Sequence, residues 1–186
     1  NHGPFLVDHN ILLSRANVTK VSSSGAYVHN LWTDSISLWP TEQRQTYYFL
    51  PHTPDIVARS PTHQQDDRYF NNLFVGGNAT SAMDEHGFAL TASGNVFLTG
   101  AKPSIHEVGA VVDETFDPAI RLEREEDGWW LEMCVNPGWT GQEPRELVTT
   151  ERLGISVVTG APYENPDGTP YRINTDYFGS KRSDPN

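Results

Sequence analysis

Cysteine, positive charge and long apolar runs are all scarce in this 186-residue chain, and each shortage removes a class of explanation. The single cysteine, Cys134, can form neither an internal disulfide nor a thiolate zinc cluster, so packing and backbone hydrogen bonds must hold the fold. Thirteen Lys and Arg face 24 Asp and Glu, a formal charge of -11 that repels phosphate backbones and anionic headgroups. Neither nucleic acid nor a membrane surface is expected as a partner; a neutral or weakly charged polar ligand fits better. No apolar run approaches spanning length, and Asn1-His2-Gly3-Pro4-Phe5-Leu6-Val7 lacks the basic stretch and apolar core of a signal peptide. With no initiator methionine either, the expectation is that upstream sequence has been cleaved or omitted.

What the chain does have is one short pattern four times over: Asn10-Ile11-Leu12, Asn30-Leu31-Trp32, Asn72-Leu73-Phe74 and Asn95-Val96-Phe97. Each follows a strand-type segment: Phe5-Leu6-Val7, Ala26-Tyr27-Val28, Tyr69-Phe70 and Phe88-Ala89-Leu90. The asparagines are 20, 42 and 23 residues apart, spacings that suit coils of a parallel β-solenoid with an insertion or extra coil in the middle gap. Asn suits the sharp corner because it tolerates a left-handed backbone, and its amide can bond the equivalent Asn of the next coil. Ile11, Leu31, Leu73 and Val96 are then expected to point inward as an aliphatic column. The competing expectation is an antiparallel sandwich whose hairpins happen to carry Asn.

Residues 35 to 65 interrupt the pattern. Pro40, Pro51, Pro54 and Pro61 break any helix, while Trp39, Tyr47, Tyr48 and Phe49 make the stretch too aromatic for a solvated linker. A long loop across one face of the stack is expected. The coils should span 1 to 101, and 102 to 186 should form a second β-rich unit that caps the last coil. Its features are a turn at Asp127-Gly128, a strand at Trp129 to Val135 and a turn at Asn165-Pro166-Asp167-Gly168. Glu123 to Glu126 reads as a solvated turn approach, and Trp129, Trp130 and Trp139 as core.

Four stretches carry a family likeness: Asn1-His2-Gly3-Pro4-Phe5-Leu6, Asp66-Asp67-Arg68-Tyr69-Phe70-Asn71-Asn72-Leu73-Phe74, Asn165-Pro166-Asp167-Gly168-Thr169-Pro170 and Thr175-Asp176-Tyr177-Phe178-Gly179. Together they resemble the C-terminal part of bacterial right-handed parallel β-helix glycosidases, closest to glycoside hydrolase family 141. The resemblance implies an all-β, right-handed parallel β-helix followed by a small C-terminal β module. It also implies an extracellular or periplasmic protein breaking down plant polysaccharide, with fucosidase or xylanase activity. It fixes no catalytic pair.

A glycosidase needs two carboxyl groups, roughly 5 Å apart for retention and roughly 6.5–9.5 Å for inversion. Stacked coils bring equivalent side chains to about 4.8 Å of one another, so neighbouring coils suit the first geometry. Alignment on the asparagines puts Asp66 in a column with Ser24 and Pro4, and Asp67 in a column with Gly25 and Phe5. In a strand the two aspartates point to opposite faces, so one can face a groove. The expected catalytic set is Asp66 or Asp67 with Arg68 as charge partner, His2 as a proton-transfer or hydrogen-bonding group, and Asp8 as a further carboxylate. The plain alternative is that Asp66-Asp67 only makes a turn. Trp39, Tyr47 and Tyr48 offer faces for stacking on sugar rings, with His52 and His63 beside them in the long loop. His9 and His29 share a column and could stack. No metal or other cofactor is expected. The expected partners are an oligo- or polysaccharide, and a missing upstream β-helix segment or a second copy of the chain. A polysaccharide lyase or a non-catalytic binding or structural solenoid remains the alternative.

Overall fold

The computed structural model describes residues 2–15, 18–39, 41–86, 89–139 and 145–182. Asn1, Pro40 and Phe88, quoted above, lie outside these. The chain is all-β, with two five-stranded sheets whose strands all run parallel. One holds β1 (Phe5–Asp8), β4 (Gly25–Val28), β9 (Asp67–Phe70), β11 (Leu90–Ser93) and β13 (Glu107–Val108), in that order. The other holds β2 (Ile11–Leu12), β5 (Leu31–Trp32), β10 (Leu73–Val75), β12 (Val96–Leu98) and β14 (Val111–Asp113). A strand of the first sheet, a corner and a strand of the second make one unit. The parallel pairs run on to Asp113, past the expected end at residue 101. A third, shorter pairing joins β3 (Val18–Lys20) to β6 (Ile36–Leu38).

The asparagines sit at equivalent corners and bond one another in series. Asn10 Nδ2 donates to Asn30 Oδ1 at 3.0 Å, Asn30 to Asn72 at 3.1 Å, and Asn72 to Asn95 at 3.0 Å. The left-handed residue of the corner, however, is the one before the Asn: His9, His29, Asn71 and Gly94 have φ of 54°, 56°, 56° and 68°. Asn is there for its amide, while its predecessor takes the strained backbone. The inward column is likewise one residue later than expected. Trp32, Phe74 and Phe97 stack at 5.8 and 5.2 Å, with Leu12 packed against the same core. Leu73, Val96 and Val111 face outward against Trp139 and Phe116. Alternation along a strand forces this choice: once the aromatic takes the interior, its aliphatic neighbour must face out.

The expected long loop is an antiparallel hairpin, β7 (Thr41–Phe49) and β8 (Ile56–His63). Its prolines are tolerated by position: Pro51 and Pro54 fall in the turn, and Pro61 lies beside a register shift where the ladder is already interrupted. Glu123 and its neighbours are also strand, in the hairpin β15 (Arg121–Glu125) and β16 (Gly128–Glu132), with Trp129 and Trp130 exposed rather than core. Only Trp139 of that trio is buried. The tail runs along the flanks. Val148, Leu153, Tyr163 and Ile173, from β17 (Val148–Thr149), the helix α1 (Thr150–Leu153), the following loop and β18 (Arg172–Ile173), cover Ala26, Val28 and Phe70 on the first sheet's outer face. Val108 and Val112, on the terminal strands β13 and β14, stay exposed among the described residues.

Candidate functional site

Strand β1, the β7–β8 hairpin and the tail meet around a cleft of about 350 Å³. Four expected residues line it: His2, Tyr47, Tyr48 and His52. The hairpin supplies the last three: Tyr47 and Tyr48 stand at the end of β7, with Tyr48 edge-on to His2 and Arg59 over the Tyr47 ring at 5.5 Å, and His52 stands in the turn. His2 is buried, its ring edge-on to Tyr48 at 5.7 Å, with Nε2 2.7 Å from Thr46 Oγ1 and 3.1 Å from Thr46 O. His2 Nδ1 is buried and has no hydrogen-bond partner among the described residues. His52, left-handed at φ 59° in the hairpin turn, reaches the tail and pairs its Nε2 with Glu164 Oε1 at 2.8 Å.

Glu164 and Tyr171 are among the lining residues that sequence reasoning missed. Both flank the turn at Asn165 to Gly168, and an antiparallel bridge ties Glu164 to Pro170. The turn was legible; that its two arms close over β1 was not. The described lining contains one carboxylate, Glu164, and no Lys or Arg.

Asp66, Asp67 and Arg68 lie outside the cleft lining, and all three are committed elsewhere. The registers match the asparagine alignment, Asp67 opposite Gly25 and Gly25 opposite Phe5, and the two aspartates do face opposite ways. Asp67 points inward, accepting from Gly25 N at 3.0 Å and ion-paired with buried Lys20. Burial pushes the Asp67 carboxyl up against the pull of the Lys20 ammonium, and pushes Lys20 down. Asp66 points outward, at φ 60°, accepting from Ser24 Oγ at 2.6 Å and Val157 N at 2.8 Å, with Arg68 Nη1 2.7 Å away. Arg68 also donates to Leu153 O at 2.9 Å and Ile155 O at 3.0 Å, and lies 4.9 Å over the Tyr163 ring. Asp66 and Arg68 thus tie the tail to the first sheet, while Asp67 is held inside it. A carboxylate already holding several internal donors is poorly placed to meet a sugar.

Asp8 is half-exposed and pairs with His9 Nδ1 at 2.8 Å, outside the cleft lining. His9 and His29 stack at 5.3 Å, and Arg182 bonds His29 at 2.7 Å. Burial, with the Arg182 charge second, lowers His29 to about 3. His63, exposed at the end of β8, and Trp39, 63% exposed beyond β6, do not line the cleft.

A solved structure described as "The complex structure of XylC with xylose" matches this fold with a TM-score of 0.88 at 27% identity, over 98% of this chain and 33% of the other. The chain thus spans about a third of that protein's length. No protein-family profile matches the chain, and no curated protein sequence matches it. The fold is therefore shared with a protein solved in complex with a sugar.

Proposed function

We propose that this chain is the saccharide-contacting part of a glycoside hydrolase-like protein, a right-handed parallel β-helix acting on plant-type polysaccharide outside the cell, and that the cleft holds a neutral sugar. The observation that carries this reading is the lining: Tyr47, Tyr48 and Tyr171 beside one carboxylate, Glu164, held by His52. Sugar rings offer apolar CH faces to aromatic rings and hydroxyls to a carboxylate or imidazole. An acidic sugar would meet Glu164 and no lining cation, which disfavours a lyase. The likeness to a protein solved with xylose supports the same ligand chemistry. The parallel sheets support the β-helix, and the strong chiral preference of parallel crossovers supports its right hand.

In this reading Glu164 is the cleft's hydrogen-bonding or acid–base carboxylate, His52 orients it, and Asp66, Asp67 and Arg68 are positioning residues. The lone lining carboxylate also favours a second reading, a binding module without hydrolysis. Titration with xylo-oligosaccharides and a plant oligosaccharide panel, followed by calorimetry and reducing-sugar release, separates the two. Tyr48→Ala and Glu164→Gln should each weaken binding about tenfold or more, as loss of a stacking face or a charged hydrogen bond does. Binding without sugar release selects the module. Unaltered affinity in both variants removes the cleft as the site.

A further inference from the structure

We propose that the β15–β16 hairpin carries a second saccharide site, apart from the cleft, in which a sugar ring stacks on Trp130 and its hydroxyls donate to the surrounding carboxylates. The class of ligand, a neutral sugar, rests on the reading above; the place does not. The hairpin register sets Glu123 opposite Trp130, Arg121 opposite Glu132 and Glu125 opposite Gly128. Directly opposed residues point to one face, so Trp130 stands among Glu123, Glu125 and Glu132, while Trp129 faces the other way. None of these residues lines the cleft.

A scattered exposed tryptophan needs no explanation, but Trp130 is both fixed and uncovered. Its Nε1 donates to Asp127 Oδ1 at 2.8 Å, which anchors the indole at the turn. Its neighbour on the same face in that direction is Gly128, where an added Cβ would meet nothing within 4 Å. Trp130 is left 57% exposed, in an open concavity of about 830 Å³ whose lining also includes Glu123, Glu125, Glu126, Asp127 and Glu132. Among the described residues the carboxylates of Glu123, Glu125 and Glu126 have no ion-pair or hydrogen-bond partner, and Glu132 has only Arg121, 4.0 Å away. A pyranose presents CH faces to an aromatic ring and O–H donors around its edge. The anchored indole meets the first, and the free carboxylates, which only accept, meet the second. No lining residue is Lys or Arg, so an anionic chain is repelled. The same carboxylates attract cations, and the test separates the two.

The isotope-labelled full chain is titrated with xylohexaose, cellohexaose and hexalysine, and NMR follows the Trp130 indole N–H resonance, identified by its absence in Trp130→Phe. Either sugar should shift this resonance to saturation, in the parent and in Tyr48→Ala alike. Glu123→Ala should weaken the response about threefold or more, as loss of a hydrogen bond to a charged acceptor does. Trp129→Ala, on the opposite face, should leave it unchanged. A resonance that neither sugar moves overturns the proposal, and continued binding at the cleft then shows that the earlier reading survives. A resonance that only hexalysine moves overturns it in favour of a basic partner. Loss of the response in Tyr48→Ala, or equal weakening in Trp129→Ala, overturns it as well. If the resonance responds to sugar while calorimetry shows no effect of Tyr48→Ala or Glu164→Gln, the second site stands and the cleft reading falls.

Discussion

Glu107 closes the asparagine ladder. The next unit carries Ala110 at the Asn position, and the Glu107 carboxylate takes its place, accepting from Asn95 Nδ2 at 3.0 and 2.9 Å and from Asn95 N at 3.2 Å. Burial nevertheless pushes its pKa from 4.5 up to about 7, with the Asn95 bonds pulling the other way. A folded-state pKa above the unfolded one means that the folded protein holds the extra proton between pH 4.5 and about 7. The contribution is full below pH 4.5 and is lost as pH rises through 7. Glu107→Gln keeps an amide oxygen for Asn95 and removes the charge. It should be more stable than the parent at pH 8 by about 1–3 kcal/mol and close to it at pH 4.5, read by urea unfolding at both. A gain of equal size at both pH values would contradict the buried-charge explanation.

Among the elements, the ladder makes its middle and its end energetically different. Asn72 is buried; its removal would strand Asn30 N and one N–H of Asn30 Nδ2 as donors, take a side-chain donor from Tyr27 O, and leave Asn95 Oδ1 with the backbone N of residue 72 alone. Each buried orphan costs about 1–3 kcal/mol, so Asn72→Ala should cost about 3–5 kcal/mol after relaxation. Asn10 is exposed and ends the series, so Asn10→Ala should cost about 1 kcal/mol. Denaturant midpoints with an unchanged slope check both, and equal losses would mean that the amides do not act as a ladder. The corners explain why the preceding residues are His, His, Asn and Gly: all carry positive φ, which Asn and Gly enter easily. At Gly94 an added Cβ would also come within 2.5 Å of Asn71 Oδ1. His9 and His29 are instead held there by stacking on each other and by Arg182.

At the scale of the molecule, Arg68 joins the parallel stack to the tail that completes the cleft. Arg68→Ala would release the carbonyls of Leu153 and Ile155 and take the guanidinium from Asp66 and from the Tyr163 ring. Limited proteolysis should then cut within residues 150–165 at least about tenfold faster, with far less change within β10 and β12, where the ladder amides of Asn72 and Asn95 bond other coil residues and not the tail. Equal acceleration everywhere would mean that tail and stack unfold as one unit. Saccharide affinity should fall with tail docking, since Tyr163, Glu164 and Tyr171 arrive on that segment. The sequence by itself determined the parallel repeat, the four ladder asparagines, the column alignment of Asp66 and Asp67, and the histidine stack. Each follows from local spacing that recurs within a few residues of the same corner. Only the tertiary structure decided that the aromatic side of each strand faces in, that the proline-rich insertion is a hairpin, and that Glu164 faces His52. Those depend on which of two alternating faces buries more area, where a bulge absorbs a proline, and how a segment more than a hundred residues away folds back. No local pattern encodes such long-range choices, because the contact that fixes each one is made by a partner distant in the chain.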